Sequence, residues 1–370
     1  MQNRLIQLFF LALNIWLIIG CQPRESRRDE PEKVKNIIFL IGDGMGLAQL
    51  STVFYFQEDS THISPFSRLK HIGFHQNEPV GARITDSAAG ATAFSTGYKT
   101  YNDAIAVDAD TVPRTTILEM AAGKGMKTGV IATSSITHAT PACFYAHIEN
   151  RDLEEGIARQ LVESSVDYFA GGGQRFFIRR SDSTNLMGAL EENGFQMDTT
   201  QLAAGNLDPE KRYGFLLADD GMPMMTEGRG DFLPQATAQA LDYLSTSDAG
   251  FFLMVEGSQI DWGGHANDAR YIIEEMIDFE KAVQNALDFA DKNPGTLVLI
   301  TADHETGGLS LSAPEVYGKR DYRGINPTFS TGGHSASLIP VLAYGPGAEQ
   351  FMGFYQNNDI FGKMKGLLID

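Results

Sequence analysis

Asp43, Glu256, Asp261, His265, Asp303, His304 and His334 offer carboxylate oxygens and imidazole nitrogens with no thiol beside them. That donor set suits zinc or harder divalent cations rather than iron–sulfur or soft-metal chemistry. Taken singly, each is as well explained by a turn, a helix cap or a structural histidine; the weight lies in their joint placement. Asp86-Ser87, followed by the small residues Ala88-Ala89-Gly90-Ala91, marks the start of a closely packed helix. Either residue could simply cap it. A serine there also lies where backbone N–H groups and the helix dipole favour an anion, so its oxygen could carry a transferred phosphoryl group. A hydroxyl is a poor nucleophile without a base or a metal. No Ser-His-Asp layout is evident from spacing, which leaves the carboxylate–imidazole cluster as the activator.

These side chains are scattered over nearly 300 residues, so the fold must gather them. Runs of strand character are expected at Asn36–Ile41, Thr128–Ala132, Val166–Ala170, Phe251–Val255, Thr296–Thr301 and Ile339–Ala343. Helical periodicity is expected at Thr115–Ala122, Leu153–Glu163, Thr184–Glu192, Pro234–Leu244 and Ala269–Asp291. The alternation predicts an α/β fold, with a mostly parallel central sheet and helices on both faces. In such sheets functional groups collect beyond the carboxyl ends of the strands. Asp43, Glu256 and the Asp303-His304 pair stand at three of those ends.

The 370 residues carry 29 Lys+Arg against 47 Asp+Glu, a net charge of −18. With a mean hydropathy of −0.17 this is globular composition, neither disordered nor multi-spanning. So acidic a surface disfavours general nucleic-acid binding, and an anionic substrate needs local positive charge from arginine or metal. Arg4, an apolar run from Leu8 to Ile19 interrupted at Asn14, and Gly20-Cys21 read as an export signal too short for a comfortable membrane span. Ile18-Ile19-Gly20-Cys21 resembles a bacterial lipobox; the alternative is an ordinary secretory signal with a chance cysteine. The expected organisation is a lipoprotein signal at 1–20, a charged tether at 21–35 and a single catalytic domain at 36–370, exported and held at the membrane by lipidated Cys21, in the periplasm or at the cell surface. Cys143 reads as a buried apolar residue.

From Asn36 onward the chain resembles a bacterial alkaline phosphatase, with the Asp86-Ser87 segment the most specific motif. The resemblance implies a homodimer that hydrolyses phosphate monoesters at alkaline pH, with Ser87 becoming a phosphoserine. It implies two zinc ions, one on Asp261, His265 and His334 and one on Asp43, Ser87, Asp303 and His304. A third site, on Asp43, Thr140 and Glu256, is usually magnesium. Arg151, otherwise read as a surface residue at a helix start, falls where the family has a phosphate-gripping arginine.

Three divalent ions over the four carboxylates leave a formal charge of +2; Arg151 raises it to +3 and a Ser87 alkoxide returns it to +2, matched to a phosphomonoester dianion. Two departures from the best-studied bacterial form concern phosphate binding and the third site: His138 stands for an aspartate and Trp262 for a lysine. Spaced two apart, His138 and Thr140 would share a face of an extended segment. The exchange of carboxylate for imidazole favours zinc or cobalt over magnesium there. The competing readings are a related phosphodiesterase, against which Ser87, Thr140, Glu256 and Arg151 argue, a sulfatase, whose local motif is absent, and a surface lipoprotein that binds phosphate or metal without catalysis.

Overall fold

Strands with near-continuous apolar runs need cover on both faces, and the central strands Asn36–Gly42, Phe251–Gly257 and Thr296–Thr301 are of this kind, buried at every position. The computed structural model describes residues 33–57, 59 and 61–368; the signal segment, Cys21 and the tether up to residue 32 lie outside them. Ten strands form one sheet: β1 Asn36–Gly42, β2 His71–Gln76, β3 Lys127–Ser135, β4 Tyr168–Gly172, β5 Phe195–Asp198, β6 Arg212–Leu216, β7 Phe251–Gly257, β8 Thr296–Thr301, β9 Ile339–Tyr344 and β10 Gly353–Gln356. Their order is β10-β2-β9-β8-β1-β7-β3-β4-β6-β5. Only β9 runs against its neighbours, so the expected mostly parallel sheet is what forms.

The helices used below are α1 Leu47–Tyr55, α2 Ser87–Thr96, α3 Ile117–Gly123, α4 Ala139–Ala142, α5 Glu154–Glu163, α6 Phe232–Leu244, α7 Gln259–His265, α8 Ala269–Lys292 and α9 Asp359–Leu368. On one face of the sheet Ile37, Phe39 and Ile41 of β1 belong to a core with Ala88 and Phe94 of α2, Ile117 of α3, Leu161 of α5 and Ile360 of α9. On the other, Ile38 and Leu40 belong to a core with Leu50 of α1, Leu241 of α6 and Ile272, Met276 and Phe279 of α8. Each of the larger of these side chains contributes about 1.5–3 kcal/mol by leaving water. Two halves of one alternating strand therefore anchor both helical layers, and the sheet between them is rigid.

The register brings the strand ends level. Ile41 of β1 lies beside Glu256 of β7 and Thr301 of β8, so Asp43, Glu256 and Asp303 emerge together from three adjacent carboxyl ends. Two glycines permit the close approach: a Cβ on Gly90 would lie 2.9 Å from Asp303 Cβ, and one on Gly44, at φ +73°, would lie 2.7 Å from Asp261 Cα.

Two local expectations need correction. Val34 is not tether: it is 6% exposed within the core, and the neighbouring Lys35 N–H donates to Gly295 O at 2.7 Å. His138 and Thr140 do not lie on an extended segment. β3 ends at Ser135, and His138 precedes the helical turn α4, within which Thr140 lies. Cys143 is fully buried, as expected.

Candidate active site

His265 and His334 face each other with Nε2 atoms 3.1 Å apart. Nδ1 of His265 lies 2.8 Å from Gly332 O and Nδ1 of His334 lies 2.8 Å from Thr85 O. A carbonyl only accepts, so in the neutral rings both Nδ1 atoms carry the hydrogen and both Nε2 lone pairs converge. Asp261, one turn before His265 on α7, brings Oδ2 to 3.4 Å from His265 Nε2 and Oδ1 to 3.6 Å from His334 Nε2. Converging lone pairs and a carboxylate fit a cation, and the nitrogen–oxygen set fits zinc.

Alongside, His304 Nε2 lies 3.5 Å from Asp43, 3.4 Å from Asp303 and 3.3 Å from Ser87 Oγ. Ser87 opens α2 and is 2% exposed. Asp86 is the cap, accepting from the Ala89 N–H at 2.9 Å, which leaves the Ser87 hydroxyl to face the cluster. Asp261, His304 and His334 bring ligand atoms within 4.8 Å of one another, as do Asp43, Asp303 and His304, and His304 Nδ1 lies 4.0 Å from Asp261.

Asp43 is shared with a third group. Thr140 Oγ1 is 3.5 Å from Asp43 Oδ2, and Asp43, His138 and Glu256 bring ligand atoms within 4.8 Å of one another. Arg151, whose side chain is 20% exposed rather than on the surface, donates to Asp86 Oδ2 at 3.0 Å and to His138 Nε2 at 3.1 Å. Because a neutral imidazole has one lone pair, His138 gives it either to Arg151 or to a cation. Trp262, on α7, meets the His138 ring edge-on at 6.2 Å.

The electrostatics are those of a site lacking its counter-charge. Burial, then the charges of Asp303, Asp261 and Glu256, raises the Asp43 carboxyl well above its ordinary range. Burial also raises Asp303 and pushes Glu256 up to about 8. It drives His304 well below its usual value and His138 down to about 3. Asp43 Oδ1, Glu256 Oε1, Asp303 Oδ2 and His138 Nδ1 are buried without a hydrogen-bond partner among the described residues. Orphaned carboxylate oxygens crowded together are costly unless cations join them.

The family model for alkaline phosphatase matches residues 34–326. The chain belongs to the alkaline phosphatase family. It is 33% identical to alkaline phosphatase 3 of Bacillus subtilis, over 91% of this chain and 89% of that one, and 31% identical to the Escherichia coli alkaline phosphatase, over 93% and 88%. The solved alkaline phosphatase of the Antarctic bacterium TAB5 superposes with a TM-score of 0.88 at 50% identity, covering 92% of this chain and 99% of that one. This alkaline phosphatase is accordingly a metal-binding phosphomonoester hydrolase.

Sequence reasoning missed the supports around the ligands. Asn77 Nδ2 donates to Asp303 O at 2.8 Å. Glu305 accepts from Gln49 at 2.8 Å and from Ser335, bracing the short ribbon that pairs His334 with Thr306. Thr306 Oγ1 donates to Asp261 and lies 3.1 Å from His304 Nδ1. Adjacency to His304 is the one signal that pointed to the last two; nothing marks Asn77 or Gln49.

Proposed function

We propose that the reaction proceeds through a phosphoserine at Ser87, with Asp261, His265 and His334 holding one zinc, Asp43, Asp303 and His304 with Ser87 holding a second, and Asp43, Thr140 and Glu256 holding a third ion. The observation that carries this reading is Ser87 Oγ lying 3.3 Å from His304 Nε2 at the head of α2, beside carboxylates with oxygens that find no hydrogen-bond partner among the described residues. Ions held there would supply positive charge that eases loss of the Ser87 hydroxyl proton and offsets charge developing on the leaving oxygen. Ser87 Oγ attacks phosphorus in line, displacing the alcohol. Arg151, held by Asp86, grips the non-reacting oxygens through two parallel N–H bonds, and the start of α2 turns its dipole toward the dianion. Water then cleaves the phosphoserine to phosphate and restores Ser87. Ser87→Ala should lose nearly all turnover while keeping zinc; an active variant would overturn the assignment.

The third ion is read as magnesium with zinc or cobalt as alternatives, and His138 as the residue that tilts the choice. A variant of the Antarctic enzyme with a histidine exchanged for aspartate has magnesium bound in its M3 site, which supports this reading of His138. Trp262 and His138 would shape phosphate affinity from beside Arg151. Lipidation of Cys21, a membrane-anchored exported location, one catalytic domain after the tether and a homodimer complete the proposal; Cys21→Ala should release the protein from membranes with catalysis unchanged.

A further inference from the structure

We infer that the Thr306 hydroxyl is a positioning group that selects the nitrogen His304 presents to the cluster and, through the same oxygen, orients Asp261, so that the two zinc sites are assembled as one unit. The inference rests on the ligand reading of Asp261 and His304 given above. Thr306 Oγ1 donates to Asp261 Oδ1. A carboxylate only accepts, so the single hydroxyl hydrogen is committed there. Toward His304 Nδ1, 3.1 Å away, the same oxygen can act only as acceptor, and Nδ1 must therefore carry the ring hydrogen. The lone pair of His304 is then at Nε2, the atom facing Asp43, Asp303 and Ser87. Without the hydroxyl, the opposite tautomer would aim a hydrogen at three oxygens that need a cation.

A buried threonine ordinarily returns its hydroxyl to nearby backbone. Thr306 instead spends it on two side chains, one of them 45 residues away. Its own place is fixed independently. Its N–H donates to Gly44 O at 3.2 Å, its carbonyl accepts from Gln49 Nε2 at 2.8 Å, and it pairs with His334 across the ribbon. It is 0% exposed. With Asp261 held at Oδ1, Oδ2 is left toward His265. One hydroxyl thus touches a ligand of each site, and outer groups of this kind typically carry about 10–100-fold in metal affinity or activity.

The test uses the full zinc-loaded chain. Thr306→Val keeps the shape and removes the hydroxyl, whereas Thr306→Ser keeps the hydroxyl. Zinc release to a chelator should be at least ~10-fold faster in the valine variant, with kcat reduced more than KM is changed, and serine should restore release to within about threefold of wild type. Valine releasing zinc at the wild-type rate would overturn the inference. A second measurement does not depend on the variant folding: nitrogen-15 spectra of labelled histidine in the zinc-loaded wild type, with the His304 signal assigned by its loss in His304→Asn. Hydrogen on Nδ1 supports the inference, and hydrogen on Nε2 overturns it. Wild type that binds no zinc at all would overturn the ligand reading beneath it, an outcome distinct from equal zinc retention in wild type and valine variant.

Discussion

Two groups of buried carboxylates can be set side by side. Glu275 and Asp278 of α8 share Arg229, which donates to both, at 3.2 Å to Glu275 Oε1 and 2.8 Å to Asp278 Oδ2, while the Met225 N–H adds a bond of 2.9 Å to Glu275. One oxygen, Asp278 Oδ1, is left over. Asp43, Glu256 and Asp303 are as deeply buried, yet Arg151 is committed to Asp86 and His138, and each of the three retains an orphaned oxygen. Burial raises the carboxyls of both groups. Among the described residues, only the first group has an arginine donating directly to its carboxylates. A structural cluster is thus distinguished from a functional one: the former draws its counter-charge from an arginine of the fold, and the latter keeps carboxylate oxygens turned to one another.

The contrast can be broken from either side. The largest expected effect is on chelation, which should abolish phosphomonoesterase activity and make stability depend steeply on pH. Glu256 goes from an ordinary value of 4.5 to about 8 on folding, so the metal-free fold holds a proton that the unfolded chain has lost. Its contribution is complete below 4.5 and disappears as pH rises through 8. His138 runs the other way, from 6.5 to about 3, adding stability as pH rises to 6.5. Between pH 6.5 and 8 the His138 contribution is constant while that of Glu256 falls, so the melting temperature of stripped protein should fall there more steeply than that of zinc-loaded protein. A flat stripped profile would mean the carboxylates are already compensated. Next, Arg229→Met should cost about 3–5 kcal/mol by leaving two buried carboxylates unpaired, read from denaturant unfolding, with zinc content unaltered. Loss of zinc there would erase the distinction between the two groups.

Smaller effects test the residues at the border of the site. Arg151→Ala should weaken phosphate inhibition by about one to two orders of magnitude and leave a measurable kcat, because the ions carry the larger share of the electrostatic load. Unchanged inhibition would return Arg151 to a merely structural partner of Asp86. Smallest is His138→Asp with Trp262→Lys, expected to increase magnesium dependence and phosphate inhibition a few-fold. Superimposable titrations would show that the two rings only pack.

Much of this was legible because strands and ligand types announce themselves together. The expected strand Thr296–Thr301 is found residue for residue, and the helix expected at Ala269–Asp291 ends one residue later. α6 starts at Phe232 rather than Pro234, as proline is tolerated in a first turn. What stayed hidden depended on tertiary partners. The extended reading of His138–Thr140 does not hold because the chain turns after Ser135 and is helical from Ala139. β2 and β10 alternate only weakly and take their place from pairing with β9 and with each other. Thr306 and Asn77 are ordinary polar residues until the fold sets them against a ligand, and Gln49 until it braces Glu305 and Thr306.

The central claim is that Ser87 carries the phosphoryl group, and the most direct measurement is acid trapping of the zinc-loaded enzyme with labelled phosphomonoester, followed by peptide mapping. The account predicts one labelled peptide containing Ser87, absent in Ser87→Ala. Label on any other residue, or turnover with no trapped label under conditions that accumulate the intermediate, would contradict it.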